Sequence, residues 1–249
     1  MAKIKLSQID TKAPKELKKE EVKLQTEAIL KELDELQNLL YAAHTHAVLV
    51  VIQGMDASGK DGAIRDVFSS LNPQGVDVYS FKVPTKEEFD HDFLWRVHKQ
   101  APAKGMIQIF NRSHYEDVLQ LDHPSDKIMK KRYEAINCFE QLLIDHNNTL
   151  ILKFYLHVSH EEQQKRLQER VSNPEKMWKY NEEDFGKSEK FKQFQDLYEA
   201  AFEQCSEVPW TIVPTDNNWY KVHIIAKTLR DALKDLKMKY PVLKQTGEK

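Results

Sequence analysis

Residues 47–60 of this chain read AVLVVIQGMDASGK. The first seven are nearly all apolar, which is typical of a strand buried on both faces of a parallel sheet. The next seven match the pattern G-x-x-x-x-G-K, with Gly54, Gly59 and Lys60 in the fixed positions. The chain has only 7 glycines, and three of them lie within residues 54–62, where a tightly curled backbone needs them. The stretch therefore predicts a strand, a phosphate-binding loop and a helix, in that order.

The chemistry of a phosphate loop explains this choice of residues. Successive backbone N–H groups of such a loop point at phosphate oxygens, and the N-terminus of the following helix adds a partial positive charge. Lys60 supplies a full positive charge for the phosphate that is transferred. The loop residues that we expect to bind phosphate are Gly54, Met55, Ala57, Ser58, Gly59, Lys60 and Asp61.

Two acidic residues depart from the usual loop. Ser or Thr, a magnesium ligand, commonly follows the lysine, but here that position holds Asp61, and Asp56 lies inside the loop. A carboxylate beside phosphates repels them unless a cation lies between, so Asp56 is a candidate ligand of Mg²⁺, which prefers hard oxygen donors. The alternative is that Asp56 is a turn residue that caps the loop. Asp61 also has two open interpretations, as a phosphate-site residue or as a cap of the helix.

The rest of the chain alternates strand-like and helix-like segments. Apolar runs predict four more strands, at residues 76–81, 106–110, 150–158 and 210–213. Helical patterns occupy residues 60–70, 86–99, 126–146, 160–172, 188–205 and 218–239. This alternation predicts an α/β fold in which helices sandwich a five-stranded parallel sheet. Because no repeat and no flexible linker interrupts the pattern, we expect residues 1–249 to form a single domain.

A long helix is predicted before the first strand, over residues 14–43, and it is expected to pack on the core. Its apolar stripe consists of Val22, Ile29, Leu33, Leu36 and Leu40, which recur at helical spacing. Pro14 is expected in the first turn of this helix, where proline is tolerated.

The composition restricts the classes of function. The chain has 249 residues, a formal net charge of −2 and 2 cysteines that are far apart in sequence. A near-neutral chain is not typical of a general nucleic-acid binder, and isolated cysteines predict neither a zinc site nor a disulfide scaffold. The N-terminus lacks the apolar core of a signal peptide, and the longest apolar run is too short to span a bilayer. We therefore expect a cytoplasmic protein with no nucleic-acid or membrane partner.

A second polar cluster directly follows the apolar run at residues 106–110. It reads Asn111-Arg112-Ser113-His114-Tyr115-Glu116-Asp117. Ligands of open α/β sheets bind at the carboxyl ends of strands, so these side chains are candidates for the same site as the loop. Arg112 offers a planar fork for phosphate oxygens, while Asn111 can orient a phosphate without adding charge. His114 is either a proton carrier or, as we favour, a hydrogen-bonded structural residue.

The segment after residue 160 has two interpretations. Ser159 and Glu162 read as a capping box, so a helix is expected to begin near His160. Arg166 and Arg170 then lie four residues apart on one face. One interpretation is a solvated helix with many ion pairs. The other is a lid over residues 160–190 that closes on phosphates, brings in arginine and excludes water.

Taken together, the motifs resemble family-2 polyphosphate kinases. They are, in chain order, GMDASGKDG, SFKVPT, HDFLWR, FNRSHYEDV, the segment ER…NPEKMWK and PW…VP, between about residues 47 and 225. The resemblance implies a thymidylate-kinase-like P-loop kinase fold with a helical lid. It implies transfer of phosphoryl groups between inorganic polyphosphate and purine nucleotides with Mg²⁺, for which Mn²⁺ is a possible substitute. We also expect a homo-oligomer.

The resemblance also assigns roles to single residues. The expected catalytic residues are Asp56, Lys60, Arg112, Arg166 and Arg170, with Asp56 holding the metal ion. From the residues at the second cluster and beyond it, we expect Asn111, Arg112, Glu116, Asp117 and Lys179 to bind the nucleotide, with Glu116 and Asp117 either contacting it or supporting the residues that do. Lys82 and Arg96 either line the phosphate path or form structural ion pairs. Asn111 replaces the aspartate of the first class of the family and resembles the class that accepts both nucleoside mono- and diphosphates, so that AMP to ADP and ADP to ATP are both expected.

Two other functions fit parts of this pattern. One is an ordinary ATP-dependent P-loop kinase of a nucleotide or another small molecule, against which the acidic Asp56 and the missing Ser or Thr after Lys60 argue. The other is a nucleotide-binding regulatory protein without turnover, which the concentration of arginines and acids at two strand ends disfavours.

Overall fold

The computed structural model describes residues 4–122 and 124–242. Within them, five strands form one parallel sheet in the order β2-β3-β1-β4-β5. The strands are β1 (Ala47–Gln53), β2 (Val76–Ser80), β3 (Ile107–Asn111), β4 (Thr149–His157) and β5 (Trp210–Pro214). All seven residues of β1 are buried, because this central strand has helices on both faces. The predicted sheet is confirmed, and each strand lies within one residue of its expected ends.

Helices cover both faces of the sheet. The first face packs against α1 (Lys19–Ala43), α2 (Lys60–Phe68) and α9 (Asn218–Asp235), and the second packs against α5 (Asp126–Asn147) and α8 (Phe191–Gln204). Shorter helices lie between them, namely α3 (Lys86–Phe89), α4 (Trp95–His98), α6 (His160–Ser172) and α7 (Glu182–Glu189). Alternate β1 side chains point to opposite faces, so Leu49 joins one hydrophobic cluster and Val50 the other. No helix in the described part of the chain is long and apolar enough to cross a membrane.

Three helix predictions were wrong in detail. The first helix begins at Lys19, and Pro14 starts a separate turn whose carbonyl accepts from the amide of Leu17. The segment 86–99 forms two short helices, because the side chain of Asp92 accepts from the amide of Leu94 and offers the backbone a local alternative to the helix. The segment 188–205 divides at Lys190, which separates α7 from α8.

An N-terminal segment, residues 4–13, is tied to the far end of the chain. The amide of Leu6 donates to Glu199 Oε1 over 2.9 Å, and the hydroxyl of Thr11 donates to Asp216 Oδ2 over 2.8 Å. The amide of Ala13 donates to Asn217 Oδ1 over 2.9 Å. The segment therefore braces the loop that follows β5, at the carboxyl edge of the sheet.

The parallel register brings the polar strand ends together. Ile52 of β1 lies opposite Asn111 of β3, and Gln53 lies opposite Tyr155 of β4. The loop after β1 and the polar cluster after β3 therefore share one edge of the sheet, where ligands of such folds bind.

Candidate active site

The predicted phosphate loop connects β1 to α2. Gly54 has φ of 153° and Gly59 has φ of 96°, a backbone region that favours glycine. A Cβ atom on Gly54 would lie 2.7 Å from Ser58 Oγ, so the curl of the loop also leaves no room for one. Lys60 Nζ donates to the carbonyl groups of Gly54 over 2.6 Å and Met55 over 3.1 Å. The charge of Lys60 is thus held within the loop, where burial and the nearby Arg112 lower its pKa.

The carboxylate of Asp56, within the loop, lies close to several cationic side chains. Its Oδ1 accepts from Arg112 over 2.8 Å, and its Oδ2 lies 3.8 Å from Lys187 Nζ. Burial raises the pKa of Asp56, but the charges of Lys60, Arg112 and Lys187 outweigh burial, so the pKa lies below its usual value. Asp56 is therefore an ionised carboxylate at neutral pH, and its metal-binding role stays a prediction.

Arg112 is held in an unusual backbone conformation directly after β3. Its φ is 63°, in the left-handed region that non-glycine residues seldom occupy. The guanidinium lies between Asp56 and Glu116, with an NH1–Oε2 distance of 3.5 Å to the latter. Burial lowers the pKa of Arg112, but the two carboxylates raise it by more, so the pKa lies above its usual value. Backbone strain of this kind persists where surrounding contacts enforce it, and it is concentrated at functional sites.

A cavity of about 700 Å³ opens from the loop. Its polar end is lined by Asp56, Arg112, Glu116, Asp117 and Lys187. Its apolar wall contains Phe81, Val83, Pro84, Leu119, Phe194 and Tyr198. Burial raises the pKa of Asp117, a predicted nucleotide-binding residue at the polar end. A charged end beside the loop and an apolar wall beyond it match the phosphate and base of a nucleotide in size and chemistry.

Asp61 connects three parts of the site. Its carboxylate accepts from Asn111 Nδ2 over 3.0 Å and from Lys179 Nζ over 2.8 Å. Burial raises the pKa of Asp61, but the hydrogen bonds from Lys179 and Asn111 lower it overall. The helix-cap interpretation is wrong, because the N-cap of α2 is Gly59 and no side chain caps the helix. Lys179 thus binds the segment 160–190 to α2, and it does not line the cavity.

The two arginines of α6 are engaged with protein groups. Arg166 donates to the carbonyl groups of Ala57, Ser58 and Thr215, and its Nε donates to Glu162 over 2.9 Å. Arg170 NH1 forms an ion pair with Asp184. Neither arginine lines the cavity. The structure therefore brings Arg166 to the phosphate loop, but through the loop's carbonyl groups.

Arg96 and Lys82 both line the cavity, but they differ in their protein partners. Arg96 is buried, lies 3.6 Å from Glu88 Oε2, and donates to the carbonyl of Lys82 over 2.9 Å. Its guanidinium also lies over the ring of Phe81. These contacts indicate a structural ion pair that shapes the cavity wall. The side chain of Lys82 is exposed beside the cavity and forms no ion pair among the described residues.

His114 lies in a buried polar cluster behind the strand end. Its Nε2 is 3.2 Å from Glu140 Oε1, and the hydroxyl of Tyr115 donates to the same oxygen over 2.8 Å. Lys153 Nζ donates to Glu140 Oε2 over 2.8 Å and to the carbonyl of Cys205 over 3.0 Å. Burial lowers the pKa of His114, so it is neutral in the folded protein. The structural interpretation of His114 therefore fits its buried position, and His114 does not line the cavity.

The donor set for a metal ion is small. Among residues 4–122 and 124–242, no group of three or more His, Cys, Asp or Glu side chains could hold a metal ion. Mg²⁺ usually takes one or two protein carboxylates and completes its shell with water and substrate phosphates. The ionised Asp56 at the loop therefore fits Mg²⁺ as a single protein ligand beside a bound phosphate chain.

Three residues of the site were not predicted from the sequence. Lys187 faces Asp56, Gln163 Nε2 donates to the carbonyl of Asp56 over 3.0 Å, and Tyr198 lines the cavity. All three come from helices α6 to α8. Lys187 lies in the predicted lid segment, where acidic and basic residues nearly balance, so its charge gave no sequence signal that distinguished it from the neighbouring lysines.

The sequence matches the polyphosphate kinase 2 family over residues 16–241. It is 48% identical over 222 residues to an AMP/ADP-polyphosphate phosphotransferase of Meiothermus ruber, and the aligned region covers 87% of this chain and 83% of that protein. It is 41% identical over 226 residues to an ADP-polyphosphate phosphotransferase of Rhodopseudomonas palustris, covering 84% of this chain and 78% of that protein.

A solved structure shows the same architecture. The crystal structure of polyphosphate kinase 2 from Arthrobacter aurescens matches with a TM-score of 0.91 and 36% sequence identity. The match covers 98% of this chain and 90% of that one. This agreement confirms the predicted P-loop kinase fold over nearly the whole chain.

Proposed function

Because the chain belongs to the polyphosphate kinase 2 family, we propose that it transfers the terminal phosphoryl group of inorganic polyphosphate to AMP and to ADP. The observation that carries this proposal is the ionised Asp56 paired with Arg112 inside the phosphate loop, at the mouth of a nucleotide-sized cavity. The name of the Meiothermus ruber relative, which contains both AMP and ADP, supports the two acceptors. Asn111 also supports use of both acceptors, because an asparagine here resembles the class of the family that accepts nucleoside mono- and diphosphates. Its amide bonds to Asp61 and adds no negative charge beside the loop.

The residues of the site perform positioning and charge neutralisation, which are the main requirements of phosphoryl transfer. An oxygen of the acceptor phosphate forms a bond to the terminal phosphorus, and the bridging P–O bond breaks, leaving a shorter polyphosphate with the electron pair. The acceptor oxygen is already an anion, so no general base is required. Lys60 and Arg112 neutralise the charge that spreads over the transferred group.

We propose Mg²⁺ as the metal ion, held by Asp56 together with phosphate oxygens, with Mn²⁺ as a substitute. When bound, the ion reduces repulsion between the acceptor and donor phosphates. The pairing of Asp56 with Arg112 implies that the carboxylate is preorganised before metal and substrate arrive. Asp56 then keeps its charge available, because its pKa is lowered by Lys60 and Arg112.

Partners and location follow as further proposals. Polyphosphate and a nucleotide are the substrates, and the purine base lies against the apolar cavity wall that includes Tyr198. The net charge of −2 supports the expectation of no nucleic-acid partner. We propose a cytoplasmic homo-oligomer, and light scattering coupled to size-exclusion chromatography tests the oligomeric state.

The test is a reaction without ATP. The protein is incubated with Mg²⁺, polyphosphate and either AMP or ADP, and nucleotides are separated by chromatography. We expect ADP and ATP to form, and we expect Lys60→Met and Asp56→Asn to lower turnover by at least about a thousandfold while thermal unfolding stays cooperative. Lys192→Met is the matched control, because Lys192 is exposed and pairs only with Asp196. Retained turnover in either loop variant would refute the assignment.

A second arm tests the rival function. The same protein is given ATP and a panel of nucleosides and small alcohols in place of polyphosphate. Turnover in this arm without turnover on polyphosphate would establish an ordinary ATP-dependent kinase. Turnover in neither arm would leave a nucleotide-binding protein and would overturn the proposed reaction.

A further inference from the structure

The carbonyl groups of the phosphate loop are all occupied by side chains. Residues 54–59 contain six backbone carbonyl groups, and each accepts a hydrogen bond from a side-chain donor. Lys60 takes the first two, as described above. Gln163 takes that of Asp56, Arg166 takes the next two, and Lys221 Nζ donates to the carbonyl of Gly59 over 3.1 Å.

The amide groups of the same loop are largely free. Within the described residues, the amides of Asp56, Ala57 and Gly59 donate to no protein acceptor, whereas that of Ser58 donates to the carbonyl of Met55. Buried or half-buried amides are normally paired. A loop with every carbonyl bound and most amides open has its donors reserved for an anion, which is the arrangement of an anion-binding nest.

Lys221 contacts the phosphate loop from α9, at the carbonyl of Gly59. It lies on α9, is only 2% exposed, and its Nζ would be 2.9 Å from a Cβ atom on Gly59. A Cβ atom there would displace the ammonium group, and the φ of 96° separately favours glycine at that position. Lys221 has no carboxylate partner within hydrogen-bond distance among the described residues, so the bond to Gly59 is its one direct contact with a protein acceptor.

Gln163 is oriented by a chain of hydrogen bonds. The hydroxyl of Ser188 donates to Gln163 Oε1 over 2.6 Å, and Gln164 Nε2 donates to the oxygen of Ser188 over 2.7 Å. The Gln163 amide nitrogen must then face the carbonyl of Asp56. Gln163 is 3% exposed, so this orientation is fixed inside the protein.

We propose that Gln163 and Lys221 are positioning residues of the reaction, which with Arg166 hold the loop's carbonyl groups away from the donor phosphates so that its amide groups face them. Two separate elements, α6 and α9, thereby set the orientation of the peptide planes that bind phosphate. The inference rests on the proposed function for the identity of the donor, polyphosphate, but not for the geometry of the loop.

The role predicts a selective loss of affinity for the phosphate donor. Without Gln163, the carbonyl of Asp56 has no other donor among the described residues and is free to turn inward, where it repels phosphate and removes an amide donor. The carbonyl of Gly59 also accepts from the amide of Ala63 over 3.0 Å, so loss of Lys221 loosens it and removes a positive charge from beside the loop. Loss of a hydrogen bond to a charged group corresponds to about a tenfold or larger change in an equilibrium constant. We therefore expect Lys221→Met to raise the KM for polyphosphate about tenfold or more, and Gln163→Met, which removes a neutral hydrogen bond, to raise it about two- to tenfold. The KM for the nucleotide should stay within about twofold of the original protein in both variants.

Binding measurements separate positioning from direct contact. Titration calorimetry with inorganic tripolyphosphate and with long-chain polyphosphate should show the same fold-loss of affinity for both in Lys221→Met. A loss confined to the long chain would make Lys221 a ligand of the distant chain and would overturn the positioning role. Lys227→Met, on the same helix with its side chain exposed and paired to Asp231, is the matched control and should leave both affinities unchanged.

A pH profile gives a readout that a structural role would not move. Burial lowers the pKa of Lys221 to about 8, with Arg166 and Arg65 lowering it further and Asp66 opposing them. The KM for polyphosphate should therefore rise above about pH 8 in the original protein. Lys221→Arg keeps its charge at any such pH and should shift this rise upward.

The outcomes decide the inference in each case. Unchanged polyphosphate affinity in both methionine variants, or an equal rise in the nucleotide KM, would overturn it. If Lys221→Met unfolds, Gln163→Met alone decides, because it removes a neutral hydrogen bond without leaving a buried charge. If the original protein makes no nucleotide product, the proposed function fails, and tripolyphosphate binding by the same variants still tests the geometry of the loop.

Discussion

Replacing Lys153 by methionine is expected to cost much of the protein's stability. The Lys153 ammonium group is buried on β4 and donates to Tyr115, Glu140 and the carbonyl of Cys205. Removing it leaves the charge of Glu140, which is 2% exposed, without its cationic partner. Breaking a buried ion pair from one side typically costs about 3–5 kcal/mol. For a chain of this size that corresponds to a fall in Tm of roughly 6–20 °C.

Urea unfolding followed by tryptophan fluorescence measures this loss directly. Trp210 is a suitable reporter, because Lys153 Nζ lies 5.1 Å from the centre of its ring. The double variant Lys153→Met with Glu140→Gln should be more stable than the single variant, since the neutral amide still bonds to Tyr115 without carrying a buried charge. Lys192→Met, which removes an exposed ion pair, should change the free energy of unfolding by at most about 1 kcal/mol.

Two results would refute this reasoning. One is a loss of less than about 1 kcal/mol in the single variant, because that would mean that Glu140 is not charged in the folded protein. The other is a double variant no more stable than the single one, because the loss would then come from packing around the methionine. Turnover of the folded protein is not part of this test, because Lys153 and Glu140 do not line the cavity.

Two further predictions concern pH and the cavity. Burial lowers the pKa of His114 and of His157 below 6.5, so the unfolded chain takes up protons that the folded protein does not. The Tm should therefore fall as the pH drops below about 6.5, and it should fall less in His114→Gln. A Tm that rises on acidification would contradict this. Lys187→Met should raise the KM for the nucleotide several-fold, because Lys187 lies 3.8 Å from Asp56 at the polar end of the cavity. The Tm should not change, because the side chain is 42% exposed. Steady-state kinetics, with Lys192→Met as the control, measures the KM, and an unchanged KM would remove Lys187 from the site.

The sheet could be predicted from the sequence because its physics is local. A strand buried on both faces must be apolar at nearly every position, and β1 shows this directly. The phosphate loop was recognisable because Gly54 and Gly59 meet a backbone requirement that few other residues satisfy. Helix boundaries were harder to predict, since the break at Asp92 depends on one side chain bonding to a neighbouring amide.

The support of the site could not be predicted in the same way. Gln163 and Lys221 each lie in the first turn of a helix. Their partners are carbonyl groups more than a hundred residues away in sequence. A carbonyl group is present at every residue and leaves no trace in the sequence. Arg166 was predicted for the right site, but the structure shows its guanidinium on the loop's carbonyl groups.

The N-terminal segment has a consequence for the order of events during synthesis. Thr11 leaves the ribosome early, but its partner Asp216 follows 205 positions later. At about 5–20 residues per second, the two are separated by roughly 10–40 s of translation. The segment must therefore wait undocked while the sheet assembles, and Lys221 reaches the loop only after that interval. A nascent chain with a finished loop sequence thus lacks a finished phosphate site, and competence to bind the donor comes with the last strand and helix.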